Sequence, residues 1–146
     1  MTQASFMQVE ITDVNQLFFS GLCTRVVAPA AHGEVCILPR HTPMLTALRP
    51  GGIRLQTDLG EDHLFYVSGG YLEVKSGDVN VLADHMLRSS NIDRAAAEKA
   101  REDAEKVMRE SHLYSLRDEA KIDLMKALAQ LQVLEHAEVH RLKKLK

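Results

Sequence analysis

No glycine follows Gly77 and no proline follows Pro50 in this chain of 146 residues. All 8 glycines and all 4 prolines therefore fall in the first 77 residues. Tryptophan is absent, and Tyr114 is the only aromatic residue beyond Asp78. Glycine and proline supply turns and break helices, so a long stretch without either lets helices run uninterrupted. The chain divides into a turn-rich first half and a helix-permissive second half.

Other scarcities exclude function classes. There are two cysteines, Cys23 and Cys36, in strand-like runs and not in a CxxC pair. They read as small buried residues in a reducing compartment rather than as a disulfide. No apolar run approaches the ~20 residues of a membrane span. Residues 1–6 lack a basic segment leading into an apolar one, so no secretory signal is expected. The net charge of −2 argues against nucleic-acid binding driven by phosphate neutralisation. Charge is concentrated late: residues 91–146 carry 12 Lys+Arg and 11 Asp+Glu, against 6 and 9 in residues 1–90. The end is basic, with Arg141, Lys143, Lys144 and Lys146 and no acid after Glu138.

What is present in the first half is short alternation between turn signals. Met7, Val9 and Ile11 alternate with polar residues. Runs at 22–28 and 34–38 end at Pro29 and Pro39. Further runs fall at 53–57, 63–67, 71–75 and 79–83, separated by glycine-bearing links. Turns roughly every 8–12 residues are the pattern of an all-β sandwich or barrel.

The second half predicts a helical hairpin. Ser90 with Asp93 and Ser115 with Asp118 have the spacing of N-terminal caps. Ala97, Ala100, Ala104, Val107 and Met108 form a thin, mostly alanine stripe, interrupted by residues 111–114. A second stripe runs through Ala120, Leu124, Ala127, Leu131 and Leu134, widened by Leu116 and Leu128. Burial of a large apolar side chain yields ~1.5–3 kcal/mol and of an alanine much less, so this hairpin is expected to be marginal. The helices themselves contain good helix formers and should persist if separated, as an arm of roughly 65 Å.

Catalytic chemistry has no legible site. His136 and His140 share a helix face, but Glu138 is not placed as in HExxH and no third ligand is evident, so a solvated face is expected and no metal. Ser68-Gly69-Gly70 lacks a phosphate-loop pattern and reads as a strand–strand turn. No GxSxG occurs.

Residues 33–48 read Gly-Glu-Val-Cys-Ile-Leu-Pro-Arg-His-Thr-Pro-Met-Leu-Thr-Ala-Leu. This resembles the G-E-x-x-I-x-P-x-H-x-P-x-L-T segment of the epsilon subunit family of bacterial F-type ATP synthases. Phe19-Ser20-Gly21, Pro50-Gly51-x-Ile53-Arg54, residues 66–74, residues 79–84, Ile92-Asp93 and residues 126–131 extend the similarity over nearly the whole chain. The resemblance implies an N-terminal β-sandwich over residues 1–88 and a two-helix antiparallel hairpin over 89–146. It implies a non-catalytic rotor subunit that couples gamma to the ring of c subunits. The hairpin would extend into the catalytic head of alpha and beta subunits and inhibit ATP hydrolysis. The location implied is the cytoplasmic face of the bacterial cell membrane, reached only through the complex.

By the same resemblance Glu34 approaches a c subunit, and His41 and Thr46 face gamma. Ser111, Arg117, Lys121 and Lys126 approach the catalytic head in the extended state. Two positions depart from the family pattern. Some members bind ATP through I/L-D-x-x-R-A, whereas this chain has Ala96 at the arginine position, and Arg94 lies about 200° away around the helix. Weak or absent ATP sensing is expected, and no cofactor. Arg40 stands where glycine is common, and a left-handed backbone there is costly for arginine. Two other classes fit the composition: a free-standing β-domain that binds a small molecule, and an adaptor unrelated to ATP synthase.

Overall fold

A computed structural model describes residues 6–144 of the chain. Among them nine strands precede two helices. The strands are β1 (Met7–Thr12), β2 (Leu17–Ala30), β3 (Gly33–Ile37), β4 (Met44–Leu48), β5 (Gly51–Thr57), β6 (Asp62–Val67), β7 (Gly70–Lys75), β8 (Asp78–Ala83) and β9 (Met86–Arg88). A short 3-10 turn (Ser89–Asn91) leads to α1 (Arg94–Glu110) and α2 (Tyr114–Lys144).

The strands form a β-sandwich whose ladder runs β1-β8-β7-β4-β2-β5-β6-β9, with β3 on β2. Alternation sets which face is buried. Met7, Val9 and Ile11 of β1, Ile53 and Leu55 of β5, Leu72 and Val74 of β7, and Val79 and Val81 of β8 point into one shared core. β2 serves both layers: its first half pairs with β1 and its second with β3 and β5. β1 lies parallel to β8, and the other pairings are antiparallel.

The strand expected to end at Pro29 runs from Leu17 to Ala30 instead. Proline lacks only a donor, and the Pro29 carbonyl still accepts from the Arg49 N–H at 2.8 Å. The chain enters β2 from a turn built by Asp13, whose buried carboxylate accepts from the N–H groups of Asn15 (2.7 Å) and Gln16 (3.0 Å). After β3, the His41 N–H donates to the Leu38 carbonyl at 3.0 Å across a turn with Pro39 second and Arg40 third. Arg40 has φ 69°, the left-handed value that the third residue of a type II turn takes. Gly70 cannot be replaced so easily: a Cβ there would lie 2.2 Å from the Leu82 carbonyl oxygen.

Both expected caps are displaced. Ser90 lies in the 3-10 turn, and Asp93 caps α1, its carboxylate accepting from the Ala96 N–H at 3.1 Å. Ser115 is already inside α2, which starts at Tyr114. Ser111 is the C-terminal cap residue of α1, and its hydroxyl accepts from the Leu113 N–H at 3.2 Å. The alanine stripe is half borne out. Ala97, Ala104, Ala120 and Ala127 are buried, whereas Ala100, Leu116 and Leu128 are exposed. Cys23 is buried but Cys36 is exposed, and both are free thiols.

Candidate interaction surfaces and the hairpin seam

The residues singled out by sequence fall on separate surfaces. Glu34, near the start of β3, is exposed and pairs with Arg54 of β5 at 3.2 Å. His41 follows the Arg40 turn, half-buried, with Nδ1 2.7 Å from the Thr42 carbonyl oxygen and so in position to donate. Thr46 lies mid-β4, half-buried, its hydroxyl donating to the Ala47 carbonyl at 3.1 Å. Ser111 sits at the far end of α1, at the hairpin tip. Arg117 and Lys121 are four apart and share one exposed face of α2, but Lys126 is half-buried and about 180° around the helix from Arg117. The three cations expected to act together therefore do not form one patch.

On the face of β4 opposite to Thr46 lies an apolar surface that sequence reasoning missed. β4 was not recognised as a strand, because its outward position Leu45 is apolar and hides the alternation. Leu45, Tyr71 and Leu82 are 70%, 58% and 56% exposed. The register joins them: Ala47 opposes Tyr71, Tyr71 opposes Leu82, and Leu82 opposes Thr12 of β1. They line a shallow recess of about 270 Å³ with Glu10, Glu73 and Asn80. Outward strand positions are ordinarily polar, so adjacent apolar ones on three strands mark a surface fit for docking.

The hairpin packs on the opposite layer. Ala129 and Val133 of α2 close a small core with Tyr66 of β6 and Ile92, flanked by Leu64, Leu87 and Leu134. Val133 comes so near Gly52 of β5 that a Cβ on that glycine would lie 3.0 Å from its Cγ2. Burial pushes the Tyr66 phenol up from its ordinary value, and a hydrogen bond from the Gln130 side chain acts the other way. Ala120 and Ala127 lie on another face of α2, turned about 200° from Ala129, and α1 is the element that covers them.

The face that carries Ala129 and Val133 continues through residues 136 and 140 at spacings of three and four. Of the two imidazoles expected on a solvated face, His136 is exposed and His140 is half-buried. Its Nε2 lies 3.3 Å from Asp62 Oδ2 of β6, out of reach of solvent. A groove of about 960 Å³ opens here between the end of α2 and strands β2, β3, β5 and β6. On the α1 side, Arg94 is engaged with Glu138 of α2 at 2.5 Å. The cation nearest in sequence to Ala96 is thus engaged in an ion pair, and Ala96 itself offers none.

α2 also has apolar residues where nothing covers them. Ile122, Met125, Leu128, Val139 and Leu142 are exposed, as are Leu113 and Tyr114 at the tip. A globular surface helix ordinarily keeps one polar face, whereas the exposed positions of α2 mix these apolar residues with charged ones such as Asp118, Lys121 and Glu135. Among the described residues, no helix is long and apolar enough to cross a membrane, and no group of three or more potential metal ligands occurs.

With this geometry in hand, comparison with known proteins is decisive. The family described as "ATP synthase, Delta/Epsilon chain, beta-sandwich domain" matches residues 6–89. The ATP synthase epsilon chain of Alkalilimnicola ehrlichii is 42% identical over 131 residues, covering 90% of this chain and 94% of that one. The chain belongs to the ATP synthase epsilon-chain family. The epsilon chain of Nitrosococcus oceani is 45% identical over 134 residues, with 90% and 94% covered. Among solved structures, a cryo-EM structure of the Euglena gracilis mitochondrial ATP synthase (OSCP, F1 and c-ring) contains a chain similar at a TM-score of 0.80. That pair is 20% identical and covers 94% of this chain and 84% of the other, so the likeness is one of fold. The central stalk and c-ring of the Tetrahymena thermophila mitochondrial ATP synthase give a TM-score of 0.59 at 16% identity, with 88% and 96% covered. The sandwich and two helices described above are the epsilon-subunit fold.

Proposed function

We propose that this epsilon chain is a non-catalytic rotor subunit whose sandwich anchors it and whose hairpin is a releasable inhibitor of ATP hydrolysis. The reading divides the chain after Arg88, into a body and an arm. The observation that carries it is the character of α2. Its contacts with the sandwich are few and centred on Ala129, Val133 and Gln130, while Ile122, Met125 and Leu128 remain uncovered. A helix held by small residues on one side, with large apolar side chains left exposed among its charged ones, is suited to exchange one partner for another.

The sandwich offers two contact regions for the anchoring role. His41 and Thr46 are proposed to face gamma, and the Leu45, Tyr71 and Leu82 surface, on the other face of β4 from Thr46, is proposed as a second area for the same partner. Glu34, exposed near the β2–β3 turn, is proposed to meet a c subunit. Ser111, Arg117 and Lys121 would approach the catalytic alpha and beta subunits when the arm extends, and Lys126 would join them only by leaving its half-buried position. Weak or absent ATP sensing follows from Ala96 and from the engagement of Arg94 with Glu138. The site of action is the cytoplasmic face of a bacterial cell membrane, reached through the complex and not through lipid or nucleic acid.

The test is ATP hydrolysis by the matching F1 sector lacking epsilon, with full-length chain or a version ending at Arg88 added back. Suppression by the full-length chain alone, with both versions bound, supports the reading. Equal effects of the two would show that the arm is not a brake, and failure of both to bind would remove the rotor assignment.

A further inference from the structure

Strand register fixes two rows of side chains on the sheet side of the groove at the end of α2. Arg25 of β2 opposes Gln56 of β5, and Gln56 opposes Asp62 of β6. Two residues along, Val27 opposes Arg54, and Arg54 opposes Leu64. The end of α2 forms the other wall and brings Arg141, Lys143 and Lys144 to the same space of about 960 Å³. Five Arg or Lys side chains thus line the groove against two acids, a surplus of three positive charges in a chain whose net charge is −2. Both acids are engaged, Glu34 with Arg54 at 3.2 Å and Asp62 with His140 at 3.3 Å. Among the described residues, the side chains of Arg25, Arg141, Lys143 and Lys144 have no ion pair or hydrogen bond. Cations at the end of α2 complement the carbonyl end of their own helix. Arg25 has no such reason to stand where it does, facing like charge across the groove. A cleft lined by one sign of charge, with Val27 and Leu64 as apolar floor, focuses its field and gathers counter-ions.

We propose that this groove is a binding site for an oligophosphate anion, seated between Arg25 and Arg54 on the sheet and Arg141, Lys143 and Lys144 on the arm. Guanidinium and ammonium groups from two walls suit a chain of several phosphates, because each phosphate meets a different donor. Gln56 adds a neutral donor: its Oε1 accepts from the Thr24 hydroxyl at 3.2 Å, which leaves its amide N–H groups to donate. Asp62 lies two strand spacings from Arg25, about 10 Å, so the seat is at the Arg25 side and away from that carboxylate. The volume falls within the ~300–1,000 Å³ of small-ligand sites.

Among the described residues, no Phe, Tyr or Trp lines the groove, so no such ring is placed to stack on a base. A nucleotide would be held by its phosphates alone, whatever its base. None of residues 92–97 lines the groove either, so the site is separate from the segment in which Ala96 stands and does not sense ATP as such. The site is made by the docked arm and the sandwich together. It does not rest on the rotor or brake assignment, which the hydrolysis assay tests separately.

The experiment titrates the full chain with sodium tripolyphosphate, free of divalent cations, by calorimetry at about 0.1 M salt. In parallel it follows alkylation by iodoacetamide of Cys36, an exposed thiol that lines the groove. One ion should bind per chain and slow the alkylation of Cys36, and ATP and GTP should bind alike. Arg25→Gln and Arg141→Gln should each weaken binding roughly three- to tenfold, the worth of one charge-assisted hydrogen bond. Arg25→Lys should weaken it less than Arg25→Gln. Lys99→Gln, on α1 and outside the groove, should leave it unchanged. Absence of saturable binding overturns the site. So does binding that Arg25→Gln leaves unaltered, which would mean that the cations at the end of α2 collect anions by themselves. Binding that does not protect Cys36 would place the ion elsewhere, and a marked preference between ATP and GTP would show a site that reads the base; either result overturns the proposal.

Discussion

Val133 sits over Gly52 so closely that a single added carbon on the glycine would fall 3.0 Å from the valine Cγ2. The backbone there is not in the left-handed region, so the glycine serves closeness and not a turn. Gly52→Val should therefore push α2 away from β5 while leaving the sandwich intact, weakening docking by about 1–3 kcal/mol as overpacking does. Hydrogen exchange should show faster exchange across residues 126–140 and unchanged protection in β2 and β5. Unchanged protection of α2 would mean that the seam absorbs the added methyls.

The other side of α2 makes a parallel prediction. Ala127 is buried, on the side of α2 that α1 covers. Ala127→Leu should separate the two helices by a similar energy, whereas Ile122→Ala, at an exposed position, should change stability by no more than about 0.5 kcal/mol. Proteolysis of the hairpin relative to the sandwich distinguishes them.

Arg40 occupies a left-handed backbone position that suits glycine. Arg40→Val and Arg40→Gly both remove the arginine's own contacts, so their difference isolates the backbone term. The valine variant should be less stable than the glycine variant by about 1–2 kcal/mol, read from denaturant midpoints. Equal stabilities would show that the turn relaxes to another shape.

The two thiols should behave oppositely. Cys23 is fully buried, and burial, helped by the nearby charge of Asp58, pushes its thiol up from 9.0 to about 11. Iodoacetamide at mildly alkaline pH should label Cys36 and spare Cys23 in the folded chain. The folded state holds the Cys23 proton more tightly than the unfolded chain. Its contribution to stability is therefore complete below pH 9.0 and is lost as pH rises through about 11. Comparing Cys23→Ala with the unsubstituted chain should show a stability difference that shrinks over that window.

Much of this architecture was legible because local rules and global fold agree. Alternation at Met7, Val9 and Ile11, or at Leu72 and Val74, names the inward face directly. It failed at β4, where Leu45 faces outward, and at β9, which is three residues long. Pro29 was misread because a missing donor matters only where a donor is needed. The caps shifted from Ser90 to Asp93 because a 3-10 turn took up the serine. The seam was not legible at all. That Val133, Gln130 and His140 meet Gly52, Tyr66 and Asp62 depends on how α2 lies across β5 and β6, and no short-range signal encodes that. The separation of Lys126 from Arg117 was computable from helical phase alone.

The pairing of β1 with β8 has a further consequence. Gln8 lies beside Asp78, so the sandwich closes only when its first strand meets one some seventy residues later. Contacts so remote in sequence are slow to form and hard to break piecemeal, which ties the strands into one cooperative unit. Nothing from α1 or α2 is woven into that closure; the helices add themselves to a finished body through side chains. Release of the arm would untie no strand, and it would uncover Tyr66, Gly52 and Asp62 on the body.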